Sequence, residues 1–197
     1  MNTDRSKVAE LPIQLFNQQK DWAAWLKTNH DKSPGVWLRL AKKSSDLASV
    51  SYPEAVESAL CYGWIDGQKK SDDDDFWLQK FTPRSARSIW SRINRDKALA
   101  LIESGRMMPA GLSEVDRARN DGRWDAAYDS ASTSAVPADF QAALDANPRA
   151  RAFFDTLNSS NRYAVLFRIQ TAKKAETRAR RIQDYTGMLE RHEKFHP

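Results

Sequence analysis

Cysteine is almost absent: Cys61 stands alone among 197 residues. One thiol forms no intramolecular disulfide and builds no multi-cysteine metal site, and such a chain suits a reducing compartment. No histidine lies near Cys61 in sequence, so the expectation is a small buried apolar group near a helix end, not a reactive thiol. Histidine is nearly as scarce, at three residues. Nothing places one of them beside a nucleophile in a Ser/His/Asp or Cys/His arrangement. The seven glycines are scattered, and none belongs to a Gly-rich phosphate loop. Long apolar runs are missing too; no stretch approaches the roughly 20 residues of a membrane span. Met1 to Lys7 lack the apolar core of a secretory signal, so a cytoplasmic protein is expected. Among 26 acidic residues, any choice of two for acid–base work is arbitrary. No catalytic residue, metal or cofactor is therefore assigned.

What is present is ordinary for a globular protein, 41% hydrophobic and 29% charged, and long enough for one large domain or a domain with an appendage. The net charge of +5 is unevenly spread. Residues 158–197 hold nine Lys/Arg and four Asp/Glu, whereas residues 1–157 hold 22 of each. A basic end of this kind meets phosphate, an anionic surface or an acidic protein, or is a solvated helix face.

Periodicity organises the chain. Residues 14–30 read as a helix striped by Phe16, Trp22, Trp25 and Leu26. Pro34-Gly35 breaks it, and residues 36–42 read as a strand. Ser51 is a plausible N-cap and Pro53 suits a first turn, so a helix runs from there to about Tyr62 and stops at Gly63. Residues 64–70 and 76–82 read as antiparallel strands joined by the polar turn Ser71-Asp72-Asp73-Asp74-Asp75. Alternation puts Trp64, Asp66 and Gln68 on one face of the first strand and Ile65, Gly67 and Lys69 on the other. Helices follow at about 91–104, carrying Ile93, Ala98, Leu101 and Ile102 inward, and at about 112–121. Residues 130–137 are a linker candidate. Beyond it, 138–146, 148–157, 159–172 and 174–191 read as helices, with Asn147 and Pro148 marking a helix start. The expectation is an α+β body over 1–129 with a small antiparallel sheet packed with helices, a linker over 130–137, and an all-helical basic segment over 138–197.

The densest motif is Gly63-Trp64-Ile65-Asp66-Gly67, followed by Phe81-Thr82-Pro83-Arg84, Trp90 and Asn94. One reading is a pocket walled by Trp64, Trp37 or Trp77, and Trp90, with Asp66 and Arg84 as polar anchors and Asn94 nearby. The other is structural: an Asp66–Arg84 pair locks the sheet to the next helix, and the tryptophans are core.

These motifs, with Gly105-Arg106-Met107, Pro109-Ala110-Gly111 and Ala172-Lys173-Lys174-Ala175-Glu176-Thr177-Arg178 before Arg180-Arg181-Ile182, resemble the bacteriocin-protection family called YdeI or OmpD-associated. The resemblance spans roughly 12–190. It implies a bacterial protein with a YjbR/CyaY-like body, linked by the family's name to protection against antimicrobial peptides or to an outer-membrane porin. It brings no reaction and no catalytic residues. The CyaY branch includes iron-binding frataxins, but here the acidic cluster Asp72 to Asp75 sits in a predicted turn, so iron delivery is not expected.

Two further patterns stand out. Lys174, Arg178 and Arg181 share a helix face, broadened by Lys173 and Arg180. That face contacts nucleic acid or another anionic surface, or is a solvated face partly paired with Glu176 and Asp184. His192-Glu193-Lys194-Phe195-His196 spells the zinc-protease pattern H-E-x-x-H. Only Pro197 follows, so no downstream third ligand is available. The function expected is non-enzymatic: a binding or stress-protection protein, its partner a small molecule or protein. The alternatives are a sequence-independent nucleic-acid binder, and an enzyme with a small-molecule pocket at Trp64, Asp66 and Arg84.

Overall fold

The computed structural model describes residues 10–197; the reading of Met1 to Lys7 lies outside the described residues. Two compact units emerge. One comprises the described residues up to Ile89 with Asn94–Trp124, the other Trp90–Ile93 with Asp125–Pro197.

The first unit is built on a four-stranded sheet of order β1-β2-β4-β3, from β1 Ile13–Gln14, β2 Val36–Ala41, β3 Trp64–Ser71 and β4 Phe76–Pro83. The β4–β3 pair is antiparallel, as the alternation and the Asp-rich turn led one to expect, and β2 joins it by an antiparallel pairing with β4. β1 is an addition. It pairs parallel to β2, Ile13 with Trp37 and Gln14 with Leu38, inside a stretch that periodicity read as helix from residue 14. The helix α1 covers only Gln19–Asn29. Trp37 N–H donates to the Pro12 carbonyl at 2.9 Å, which draws the preceding segment to the sheet edge before Gln18, still extended, lets the helix begin. Phe16 thus stands outside α1 yet joins its aromatic stripe, 5.5 Å from Trp22.

Val36, Leu38 and Leu40 are buried while Trp37, Arg39 and Ala41 alternate outward. Phe81 pairs with both Val36 and Asp66, and directly opposed residues of antiparallel strands share a face. On that face α1 inserts Trp22, 5.7 Å from the Phe81 ring and edge-on to Trp64 at 6.2 Å. The Trp22 indole N–H donates to the Ala55 carbonyl of α2 (Tyr52–Cys61) at 3.1 Å, so the buried ring carries no unmet donor. α2 starts as read. The Glu54 carboxylate accepts from the Ser51 amide at 2.9 Å and from its hydroxyl at 2.6 Å, completing a capping box. Those bonds hold the Glu54 carboxyl below its ordinary range. The helix ends before Gly63, whose φ of +72° is open to glycine. Cys61 is buried at that end, and desolvation pushes its thiol upward, which disfavours the thiolate.

α3 (Arg92–Glu103) buries Ala98 and Leu101, but Ile93, expected inward, is half exposed. α4 is Pro109–Asn120; it starts about three residues earlier than read because Pro109 takes the first helical position, where its missing N–H costs nothing.

In the second unit, α5 (Ala138–Asp145), α6 (Pro148–Thr156), α7 (Ser159–Gln170) and α8 (Ala175–Glu190) enclose a core of Phe140, Leu144, Phe154, Val165, Leu166, Ile169 and Leu189. Phe140 and Phe154 meet edge to face at 5.5 Å. Asn147 caps α6 by accepting from Ala150 N–H at 3.1 Å, and Asn158 caps α7 by accepting from Asn161 N–H at 2.9 Å. α7 and α8 are separate helices, broken at 171–174.

Candidate functional site

Of the sequence-read pocket residues of the first unit, Trp64, Asp66 and Trp77 share one face of the sheet and Trp37 lies on the other. Trp64 is buried, its indole N–H donating to the His30 carbonyl at 3.0 Å and its ring edge-on to Trp25 at 5.8 Å. Trp37 alternates with the buried Val36 and Leu38 and therefore lies on the other face of the sheet, where the Lys70 ammonium sits 4.3 Å from its ring. Asp66 accepts from the Tyr52 phenol at 2.7 Å. Arg84 is buried, and its Nη1 donates to the Ile89 carbonyl at 3.3 Å. Trp90 is buried in the second unit, its carbonyl accepting from Tyr128 N–H at 3.0 Å, and Asn94 lies half-buried in α3.

A different group is brought together in the first unit by a β-bulge. The β3–β4 register pairs Asp66 with Phe81 but Lys69 with Gln79, one residue more on β3 than on β4. The extra residue reverses the alternation, so Lys69 sits on the face of Asp66 and not opposite it, as uninterrupted alternation had placed it. Gln79 is buried beneath the bulge, and its amide donates to the Gly67 carbonyl at 2.9 Å and to the Gln68 carbonyl at 3.2 Å. It thereby satisfies the two carbonyls that the register shift frees from the ladder.

The result is a cleft of about 710 Å3 between the start of α2, the end of β2 and the outer strand β3. Its aromatic corner is Tyr52 against Trp77, with ring centroids 5.8 Å apart and planes inclined at 52°. The Lys69 ammonium stands over the Trp77 ring at 4.2 Å, a cation–π contact. The charged lining is Lys42, Lys43, Lys69 and Lys70, and no carboxylate shares it among the described residues. The neighbouring acidic turn is turned away. Arg39, on the Trp37 face, holds Asp72 at 2.6 Å and also pairs with Asp73, whose Oδ1 accepts from the Asp75 and Phe76 amides at 3.0 and 2.8 Å. Lys42 donates to the Asp73 carbonyl at 2.7 Å. A cleft with aromatic walls and flexible cations of one sign has the chemistry of an anion site. The paired lysines 42–43 and 69–70 are visible in the sequence; their convergence depends on strand order and on the bulge. Trp77 was legible only as one wall among several, and Tyr52 only as a helix-start residue.

The basic face read on the last helix is partly turned inward. Arg178 pairs with Asp139 at 2.6 Å and donates to the Ile169 carbonyl at 3.0 Å, and Arg181 donates to the Arg168 carbonyl. Both guanidinium groups thus satisfy carbonyls at the end of α7, while Lys173, Lys174 and Arg180 remain exposed. The two histidines of H-E-x-x-H share no helix, because α8 ends at Glu190. His192, with φ of +60°, stacks on Phe153 at 4.8 Å, and the His196 backbone is held by the buried Asn161 side chain, which accepts from its N–H at 2.9 Å.

Among the described residues no helix is long and apolar enough to cross a membrane. Residues 133–192 match the family described as bacteriocin-protection, YdeI or OmpD-associated. The resemblance read over 12–190 is therefore found in the helical part of the chain, and the YjbR/CyaY likeness of the body stays a resemblance. No curated protein and no solved structure matches. Strands β2 to β4, the bulge and the lysine-lined cleft fall instead within a second match, over residues 14–114. That match takes in more than half of the chain, which thus belongs to the family described as a domain of unknown function, DUF8412.

Proposed function

We propose that this chain is a non-enzymatic bacterial binding protein of the cytoplasm, whose first unit captures a small anionic ligand in the cleft beside Tyr52 and Trp77. The observation that carries this reading is the cleft's charged lining, which is lysine alone among the described residues. The Lys69 ammonium faces this cleft beside Lys43, and an anion relieves the repulsion between such like charges. Calorimetric titration with pyrophosphate, against glycerol as a neutral control, tests it. Binding is expected at low salt, weaker at about 200 mM than at about 50 mM because exposed charges are screened, and reduced at least about tenfold in a Lys43→Ala/Lys69→Ala variant. No heat of binding at low salt overturns it.

The name of the family matched over residues 133–192 supplies the biological setting, and we carry protection against a bacteriocin over to this chain on that basis. A nucleic-acid surface on the last helix is the second reading. It rests on the exposure of Lys173, Lys174 and Arg180, since Arg178 and Arg181 are engaged within their own unit. It predicts binding to duplex DNA that falls steeply with salt and is lost when those three become Ala. An enzymatic pocket at Trp64, Asp66 and Arg84 has less to draw on, because Trp64 and Arg84 are buried and only Asp66 is partly accessible.

A further inference from the structure

We infer that the cleft of the first unit takes a nucleoside phosphate, with the base against the Tyr52–Trp77 corner and the phosphate on Lys43 and Lys69. This rests on the reading of the cleft as an anion site and adds the ligand's second half. A site for a bare anion needs cations and amide donors. This one also presents two aromatic rings at a 52° inclination, 5.8 Å between centroids, at the same end as its lysines. The Tyr52 ring is fixed in that position by its phenol, which donates to Asp66 at 2.7 Å.

The Lys69 ammonium, 4.2 Å over the Trp77 ring, occupies the place a flat group would take. An exposed cation–π contact is worth about 0.5–1 kcal/mol, whereas a base stacked on an aromatic side chain is worth about 1–3 kcal/mol. A planar base therefore displaces the ammonium from the ring. The displaced ammonium, on a flexible four-carbon stem, remains within the same cleft and is released toward the phosphate. The two halves of the ligand then support each other: the base frees the cation that the phosphate uses. A phosphate alone must draw Lys69 off the indole at the cost of the cation–π contact, and a nucleoside alone displaces a cation to no partner. The cleft's volume of about 710 Å3 lies within the usual range of about 300–1,000 Å3 for such sites.

The test is calorimetric titration of the full chain with adenosine 5′-monophosphate, inorganic phosphate and adenosine at about 50 mM salt, each repeated with Trp77→Leu and Tyr52→Ala. The nucleotide is expected to bind at least about tenfold tighter than either fragment. Trp77→Leu and Tyr52→Ala are each expected to remove that advantage while leaving phosphate binding within about threefold, which a collapsed fold would not do. A nucleotide no tighter than inorganic phosphate overturns this inference and leaves the anion site standing. No binding of phosphate, pyrophosphate or nucleotide overturns both.

Discussion

The guanidinium of Arg178 grips both carboxylate oxygens of Asp139, Nε to Oδ2 at 2.6 Å and Nη2 to Oδ1 at 2.8 Å, and reaches the Ile169 carbonyl with its remaining nitrogen at 3.0 Å. One side chain on α8 thus ties together the start of α5 and the end of α7. The hydrogen bonds from Arg178 hold the Asp139 carboxyl below its usual range, against a smaller upward push from desolvation. A carboxyl depressed in the folded state contributes stability at pH values above its unfolded pKa of about 3.9, and loses it as pH falls through the folded value. Asp139→Asn is expected to lower stability at pH 7 by about 0.5–1 kcal/mol, since the Asp139 side chain is 48% exposed and solvent weakens such pairs. Urea titrations in an acid series are expected to show the wild type and the variant converging below about pH 4.

Gln79 holds the bulge that puts Lys69 on the cleft face. Gln79→Leu is nearly isosteric and leaves the Gly67 and Gln68 carbonyls without their amide donor. The expected cost is about 1–3 kcal/mol. Loss of the bulge moves Lys69 off Trp77, so the variant is also expected to lose pyrophosphate affinity at temperatures where circular dichroism shows it folded. Unchanged stability together with unchanged affinity would remove Gln79 from this role.

Gly111 sits where α4 crosses the end of α2. A Cβ there would lie 2.4 Å from the Met107 sulfur and 2.5 and 2.6 Å from the Cys61 and Leu60 carbonyl oxygens. The sulfur moves, but the two carbonyls are backbone. Gly111→Ala is expected to destabilise the first unit by about 1–3 kcal/mol or more through overpacking, despite the better helix propensity of alanine. A melting temperature at or above that of the wild type would contradict this.

Local signals carried much of the fold. Ser51, Pro53 and Glu54 bracket the start of α2 and Gly63 its end within a dozen residues, and the hairpin follows from alternation around an aspartate-rich turn. Features that depend on distant partners were out of reach. β1 is two residues long and exists because Trp37 and Leu38 lie beside it, so periodicity absorbed it into a helix. Trp37 and Trp64 look alike in sequence, yet the register puts them on opposite faces. The spacing of Lys174, Arg178 and Arg181 implies a shared face, but Lys174 precedes α8 as its extended, exposed N-cap residue, while the carbonyls at the end of α7 draw Arg178 and Arg181 inward. The cleft was the least legible feature, because Lys69 and Trp77 meet diagonally across two strands only after a bulge whose one local sign is Gly67 within the strand.

β3 is an outer strand of the sheet, and its residues 67–71 are exposed. Such an edge is a template on which a second chain can add a strand and seed aggregation. Here the bulge interrupts the template midway, and Lys69 and Lys70 send one positive charge to each face at the point where an incoming strand would dock. The Lys69 charge that attracts an anion into the cleft therefore also helps keep copies of the chain apart, and solubility and ligand capture draw on the same residue.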